Sequence, residues 1–265
     1  MARVSMSGLA RAVLAAGAVG VCCQAAGAQA AETVSLHTSF SPDRLGAATT
    51  ISFNFQIAST ANGGRLPSAL QRVDLRMPTG MNYITSTLGT SSCRAEVLVN
   101  DGVAGCPSNS RLGHGRAYAE VPFGSSIAGE GAEVQAVMGP PRNGNVVVLF
   151  FVEGHQPVWA PLVFPGELLP PAPPFGETLA TVIPEIKGVP GGPPVSIRYV
   201  GSTIGPNHLT YYKHVHKKLV AYKPKGVALP ERCPRGGFRF IADFTFEDHS
   251  VVTANSTVPC PSRRK

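Results

Sequence analysis

The densest run of side chains able to do chemistry is YYKHVHKKLVAYKPK, from Tyr211 to Lys225. Read as a strand, it sets Tyr212, His214, His216 and Lys218 on one side and Tyr211, Lys213, Val215 and Lys217 on the other. Basic groups among aromatics suit an acidic polymer or an anionic membrane surface. The candidate binding residues are therefore Tyr211, Tyr212, Lys213, His214, His216, Lys217 and Lys218. The bland counterpart is a solvated hairpin whose lysines discourage edge-to-edge pairing. His214-Val215-His216 also has the i, i+2 spacing that puts two imidazoles on one side of a strand, as zinc and copper sites do. Lys213, Lys217 and Lys218 would repel a divalent cation and no third ligand is identifiable, so neither a metal nor a cofactor is assigned.

Catalytic patterns are absent from the sequence. Gly201-Ser202-Thr203-Ile204-Gly205 carries Thr where a nucleophile elbow needs Ser. The chain contains no H-E-x-x-H, no phosphate-binding loop and no dinucleotide fingerprint. Glu130 with Glu133, or Glu247 with Asp248, could form a glycosidase pair, but such pairs are defined by distance in space and these read as surface carboxylates. No residue is assigned a catalytic role, and the expectation is a protein that is not an enzyme.

The amino terminus predicts export. Arg3 and Arg11 precede the apolar stretch Ala12–Cys23, which is followed by small residues ending in Ala28-Gln29-Ala30. That is the build of a secretory signal peptide over residues 1–30, with cleavage after Ala30 preferred and after Ala28 the alternative. The apolar run is shorter than the ~20 residues a membrane-spanning helix needs, so no transmembrane segment is expected in the mature chain. Val21 before Cys22 argues against lipidation of that cysteine. Four cysteines remain after cleavage: Cys93, Cys106, Cys233 and Cys260. An even count in an exported chain reads as disulfides. The local pairing, Cys93–Cys106 and Cys233–Cys260, is preferred because each pair brackets a plausible turn or hairpin.

These elements need a scaffold, and its pattern has period two. Ile51, Phe53, Phe55 and Ile57 alternate with Ser52, Asn54 and Gln56, the mark of a half-buried antiparallel strand. Val73–Met77 and Phe238–Phe246 alternate likewise. Further strands are predicted near Val34–Leu36, Glu133–Met138, Leu179–Ile183, Val195–Val200 and Val251–Thr257. Val146–Val152 (VVVLFFV) does not alternate, which predicts a central strand covered on both faces. Asn62-Gly63-Gly64, Asn100-Asp101-Gly102 and Arg142-Asn143-Gly144 mark turns. No convincing amphipathic helix follows residue 30. With 29 Gly and 24 Pro spread through 265 residues, the expected fold is all-β: an antiparallel β-sandwich, immunoglobulin-like or jelly-roll-like, with two disulfides. Eleven prolines between Pro157 and Pro194 predict long loops or edge strand there. One elaborated sandwich over 31–265 is preferred to two modules split within 157–194.

Charge divides unevenly along the mature chain. Residues 31–185 hold 8 Lys/Arg and 12 Asp/Glu, whereas residues 186–265 hold 13 and 4. Any electrostatic partner therefore belongs to the last third.

Several segments together resemble a known group. They are Ser39-Phe40-Ser41-Pro42 with Leu45-Gly46, Met77-Pro78-Thr79-Gly80-Met81, Gly105-Cys106-Pro107 with Leu112-Gly113-His114-Gly115, Cys233-Pro234-Arg235-Gly236-Gly237-Phe238, and Val258-Pro259-Cys260-Pro261. With them the chain resembles uncharacterised exported proteins of high-GC Gram-positive bacteria. The resemblance covers most of the mature chain, bears on fold, and brings no catalytic or binding residue. The functional expectation is a secreted, non-catalytic module, extracellular or held at the cell wall, binding an acidic wall polymer or polysaccharide rather than nucleic acid. The alternative is a secreted hydrolase of carbohydrate or lipid with its site in the Pro-rich loops.

Overall fold

In an antiparallel sheet with one dry face, apolar side chains must recur at every second residue, and a sheet with enough strands can hide that face by curling round on itself. The computed structural model describes residues 32–59, 66–81, 87–155, 160–188 and 190–261, and it follows this rule. The expected signal peptide, the Asn62-Gly63-Gly64 turn and Trp159 lie outside the described residues. The amino-terminal strands are β1 (Glu32–Ser41), β2 (Ala48–Ser59) and β3 (Leu70–Arg76). After a short helix, α1 (Ala95–Asp101), come β4 (Arg111–Phe123), β5 (Ser126–Met138), β6 (Val146–Gly154), β7 (Ala160–Leu169), β8 (Thr178–Val182) and β9 (Ser196–Ile204). The chain ends with β10 (Tyr211–Val215), β11 (Lys218–Tyr222), β12 (Val227–Ala228), β13 (Phe238–Phe246) and β14 (Val251–Val258).

Eleven strands form one antiparallel ladder in the order β1-β2-β9-β4-β5-β6-β7-β8-β3-β13-β14, and β12 adds onto β2. The ladder brings its first and last strands side by side, so the sheet is nearly closed into a barrel. Where the sequence predicts a sandwich of two facing sheets, the wall is continuous. Inward–outward alternation is the same in both architectures, so the pattern alone does not separate them. β2 pairs with β9 and β3 with β13, joining strands from before and after the Pro-rich stretch.

The remaining seam lies between β1 and β14, and side chains bridge it. Ser256 Oγ accepts a hydrogen bond from Thr38 N–H at 3.0 Å and lies 2.9 Å from Thr38 Oγ1. At the end of the seam, buried Glu32 accepts from Ser68 N–H at 2.9 Å, with Ser250 Oγ 3.5 Å from its other oxygen. Inside, Phe40 meets Phe238 edge-on at 5.2 Å between ring centres. The Cys233–Cys260 disulfide ties the open end of the β13–β14 hairpin.

β6 is covered on both faces, as its unbroken apolar run requires. Phe150 points inward and stacks on Phe164 of β7 at 5.7 Å. Val147, Leu149 and Phe151 point outward, under a cluster that includes Leu98, Cys93 and Cys106. α1 supplies that cover, a helix the sequence reading lacked. At seven residues it is too short to show a helical period, and Cys93–Cys106 closes the loop that contains it. The Asn100-Asp101-Gly102 signal marks its end, with Gly102 at φ +62°. Arg142-Asn143-Gly144 makes the expected turn between β5 and β6, with Asn143 and Gly144 at positive φ.

The Pro-rich stretch contributes two strands to the wall, β7 and β8. β8 pairs only with Gly166–Leu169 of β7, so at Pro161 and Pro165 one side of β7 has no ladder for proline to interrupt.

Candidate functional site

The inward faces of these strands do not fill the barrel. Ala117 on β4 lies directly opposite Ala132 on β5, which in turn lies opposite Gly154 on β6. All three face the lumen. A row of small residues across three neighbouring strands leaves the middle of the wall without bulk to occupy the centre, and a cavity of about 180 Å³ results. Its other walls are apolar, with Phe55, Val134, Phe150, Leu162, Val200 and Phe244 among them. A second cavity of about 450 Å³ occupies the opposite end, walled by Ile51, Met77, Leu88, Leu112, Met138 and Phe240. The two adjoin at Phe53, Leu75 and Leu179, which line both.

The ends differ. Around the first cavity, Ile183, Ile186, Lys187 and Gly188 fold over the barrel, held by a hydrogen bond from Val195 N–H to the Ile186 carbonyl. Gly188 lies so close to β4 that a Cβ there would stand 2.2 Å from Val121 Cγ1. Polar groups gather at this end. Glu130 accepts from His155 N–H at 2.8 Å, and Lys187 pairs with Glu185 at 3.2 Å. At the second cavity the rim is the 88–92 segment with the start of β4.

The sequence-predicted residues 211–218 stand beside that second rim. β10 and β11 form a two-stranded hairpin outside the barrel ladder. His216 and Lys217 are its two turn residues, at φ +48° and +65°, values a two-residue hairpin turn requires. This corrects the single-strand reading. The turn takes His216 away from His214, so the two imidazoles are not set side by side. Lys218 pairs with Val215 and shares the face of Lys213 and Tyr211, rather than that of Tyr212 and His214. Among the described residues no group of three or more His, Cys, Asp or Glu converges as a metal-binding cluster.

Tyr211 roots the hairpin. It is fully buried, donates from Oη to the Arg111 carbonyl and accepts from Gly89 N–H at 3.1 Å. Burial pushes its phenol above the usual tyrosine range, with Tyr222 adding to the shift and the Gly89 bond opposing it. Asn109 clasps the next residue, accepting from Tyr212 N–H at 2.9 Å and donating to its carbonyl at 2.8 Å. Lys225 N–H bonds to Thr87 Oγ1 at the hairpin's other end. Tyr212, Lys213, His214, His216, Lys217 and Lys218 are all exposed.

The carboxylate pairs are not brought together as pairs. Glu130 faces the lumen and Glu133 is exposed. Glu247 and Asp248 sit in the turn after β13, where Asp248 Oδ1 accepts from Ser250 N–H. Ser202 lies on the buried side of β9, near the His114 carbonyl. No helix among the described residues is long and apolar enough to cross a membrane.

The lumen itself went unread in the sequence. Its traces are Ala117, Ala119, Ala132 and Gly154, small residues that look like weak strand positions until the register lines them up. Comparison with family models, with curated proteins and with solved structures finds no match.

Proposed function

We propose that the mature chain is an exported carrier that holds an apolar, chain-like molecule, such as an acyl chain, in the barrel lumen. One observation carries this reading: two apolar cavities lie inside the barrel and adjoin at Phe53, Leu75 and Leu179, side chains that line both. Ligand sites are typically concave and mostly apolar, with a few polar groups that set orientation. Glu130 and Lys187 line the smaller cavity in that capacity.

Energetics favour an apolar occupant. A bound chain buries its own surface against this lining at about 25 cal/mol per Å².

Thermal unfolding tests the proposal. A long-chain fatty acid at about a hundred times its Kd should raise the midpoint by roughly 5–10 °C. Acetate, which shares the headgroup and lacks the chain, should leave it unchanged. An absence of any shift across a series of long-chain acids and alcohols would rule the carrier reading out.

A further inference from the structure

Apart from Tyr211 and Tyr222, which pack against an interior cluster, the hairpin stands outside the barrel ladder and is built with unusual surface chemistry. No Asp or Glu occurs between Glu185 and Glu231, and the segment Tyr211–Lys225 inside that interval carries five lysines. Among the lysines stand large apolar side chains left in water: Leu219 is 61% exposed, Tyr212 44%, Val220 40% and Val215 38%. A two-stranded hairpin is marginal alone, and one that turns apolar groups outward on both faces gains nothing from them in solution.

We propose that the β10–β11 hairpin docks on an anionic lipid surface, its apolar side chains entering the headgroup boundary while its lysines meet lipid phosphates. Two observations choose lipid over a soluble acidic polymer. Lys213, Val215, Lys218 and Val220 share one face of the hairpin, Tyr212 and Leu219 the other, and Lys217 sits in the turn, so the hairpin's free end carries apolar groups and lysines together; a surface that takes up that end must accept both kinds, as the headgroup boundary of an anionic bilayer does. The hairpin is also tied to the rim of the larger cavity: Tyr211 bonds to Gly89, which lines that cavity. Docking there sets the mouth of the lumen at the bilayer. The docking stands on the hairpin alone; delivery of a ligand to or from the bilayer rests additionally on the carrier reading.

Vesicle co-sedimentation of the mature chain tests it, using phosphatidylcholine vesicles with and without phosphatidylglycerol. Binding should require phosphatidylglycerol and weaken as salt is raised. Joint replacement Lys213→Gln, Lys217→Gln and Lys218→Gln should reduce binding about a hundredfold. Leu219→Ser with Val220→Ser should also reduce it, at unchanged charge. The thermal midpoint of each variant reports whether the barrel is intact. A fluorophore on Leu219→Cys, a thiol outside the two disulfides, should shift to the blue on anionic vesicles. If the lysine variant loses binding while the Leu219/Val220 variant keeps it and the fluorophore does not shift, the surface is an acidic-polymer site and the lipid proposal fails. Equal binding by all variants overturns it as well. Because no lumen residue is altered, a chain that takes up fatty acid yet ignores vesicles refutes docking and leaves the carrier reading intact. One that docks without taking up fatty acid does the reverse.

Discussion

Ala117 on β4 and Ala132 on β5 lie opposite each other in the ladder, and both side chains face the same cavity. Two methyl groups occupy positions where a pair of leucines would project into the smaller cavity. That hollow follows from the choice of residues at the facing positions.

The seam between β1 and β14 should be a weak point with one strong link. Ser256→Ala removes the acceptor of Thr38 N–H, in a residue that is 4% exposed, and should cost about 1–3 kcal/mol. Thr38→Val keeps that backbone bond and loses only the hydroxyl contact, for about 1 kcal/mol. Urea unfolding checks both: the midpoint should fall more for Ser256→Ala, with the slope unchanged.

The α1 cover should be structural and independent of the lumen. Leu98 is fully buried against the outer face of β6, and Leu98→Ala should cost about 2–5 kcal/mol. Replacing Cys93 and Cys106 by Ala should cost about 3 kcal/mol, and replacing Cys233 and Cys260 about 3.5 kcal/mol, by the loop-closure estimate for 13- and 27-residue separations. Denaturant titration measures these losses. Fatty-acid affinity of the Leu98 variant, measured well below its unfolding midpoint, should match the native value.

Tyr211 should make the rim sensitive to alkali. Its raised pKa means that the folded chain keeps a proton the unfolded chain has released. The contribution is complete below the unfolded value near pH 10, about that of free tyrosine, and is lost as pH rises above it. Tyr211→Phe removes the group at a cost of about 1–3 kcal/mol at neutral pH, for the bonds to Arg111 and Gly89. The native midpoint should therefore fall more steeply between pH 9 and pH 11 than that of Tyr211→Phe. Parallel curves would refute the assignment.

Much of the wall was legible in the sequence. β2 and β13 bury large side chains at alternate positions, and each announces itself. Closure was not legible, because it depends on Thr38 meeting Ser256 across 218 residues of chain. β4 was missed for the reason that the lumen is hollow: its inward positions at Ala117 and Ala119 are too small to mark a strand. β7 was hidden by Pro161 and Pro165, which it tolerates where its second neighbour is missing. The two disulfides were readable from local spacing. At the hairpin the residues were found but their faces were misassigned, because His216-Lys217 lacks the Asn or Gly that usually betrays a two-residue turn.

The central claim is that an apolar ligand occupies the barrel, and titration with a fatty acid whose fluorescence rises in apolar surroundings tests it most directly. The native chain should give a saturable rise. Ala117→Phe with Ala132→Phe, which places two rings in the smaller cavity at the facing pair, should diminish the rise while the far-ultraviolet circular dichroism stays that of the folded barrel. An undiminished, saturable rise in that folded variant would place the ligand elsewhere and contradict the account.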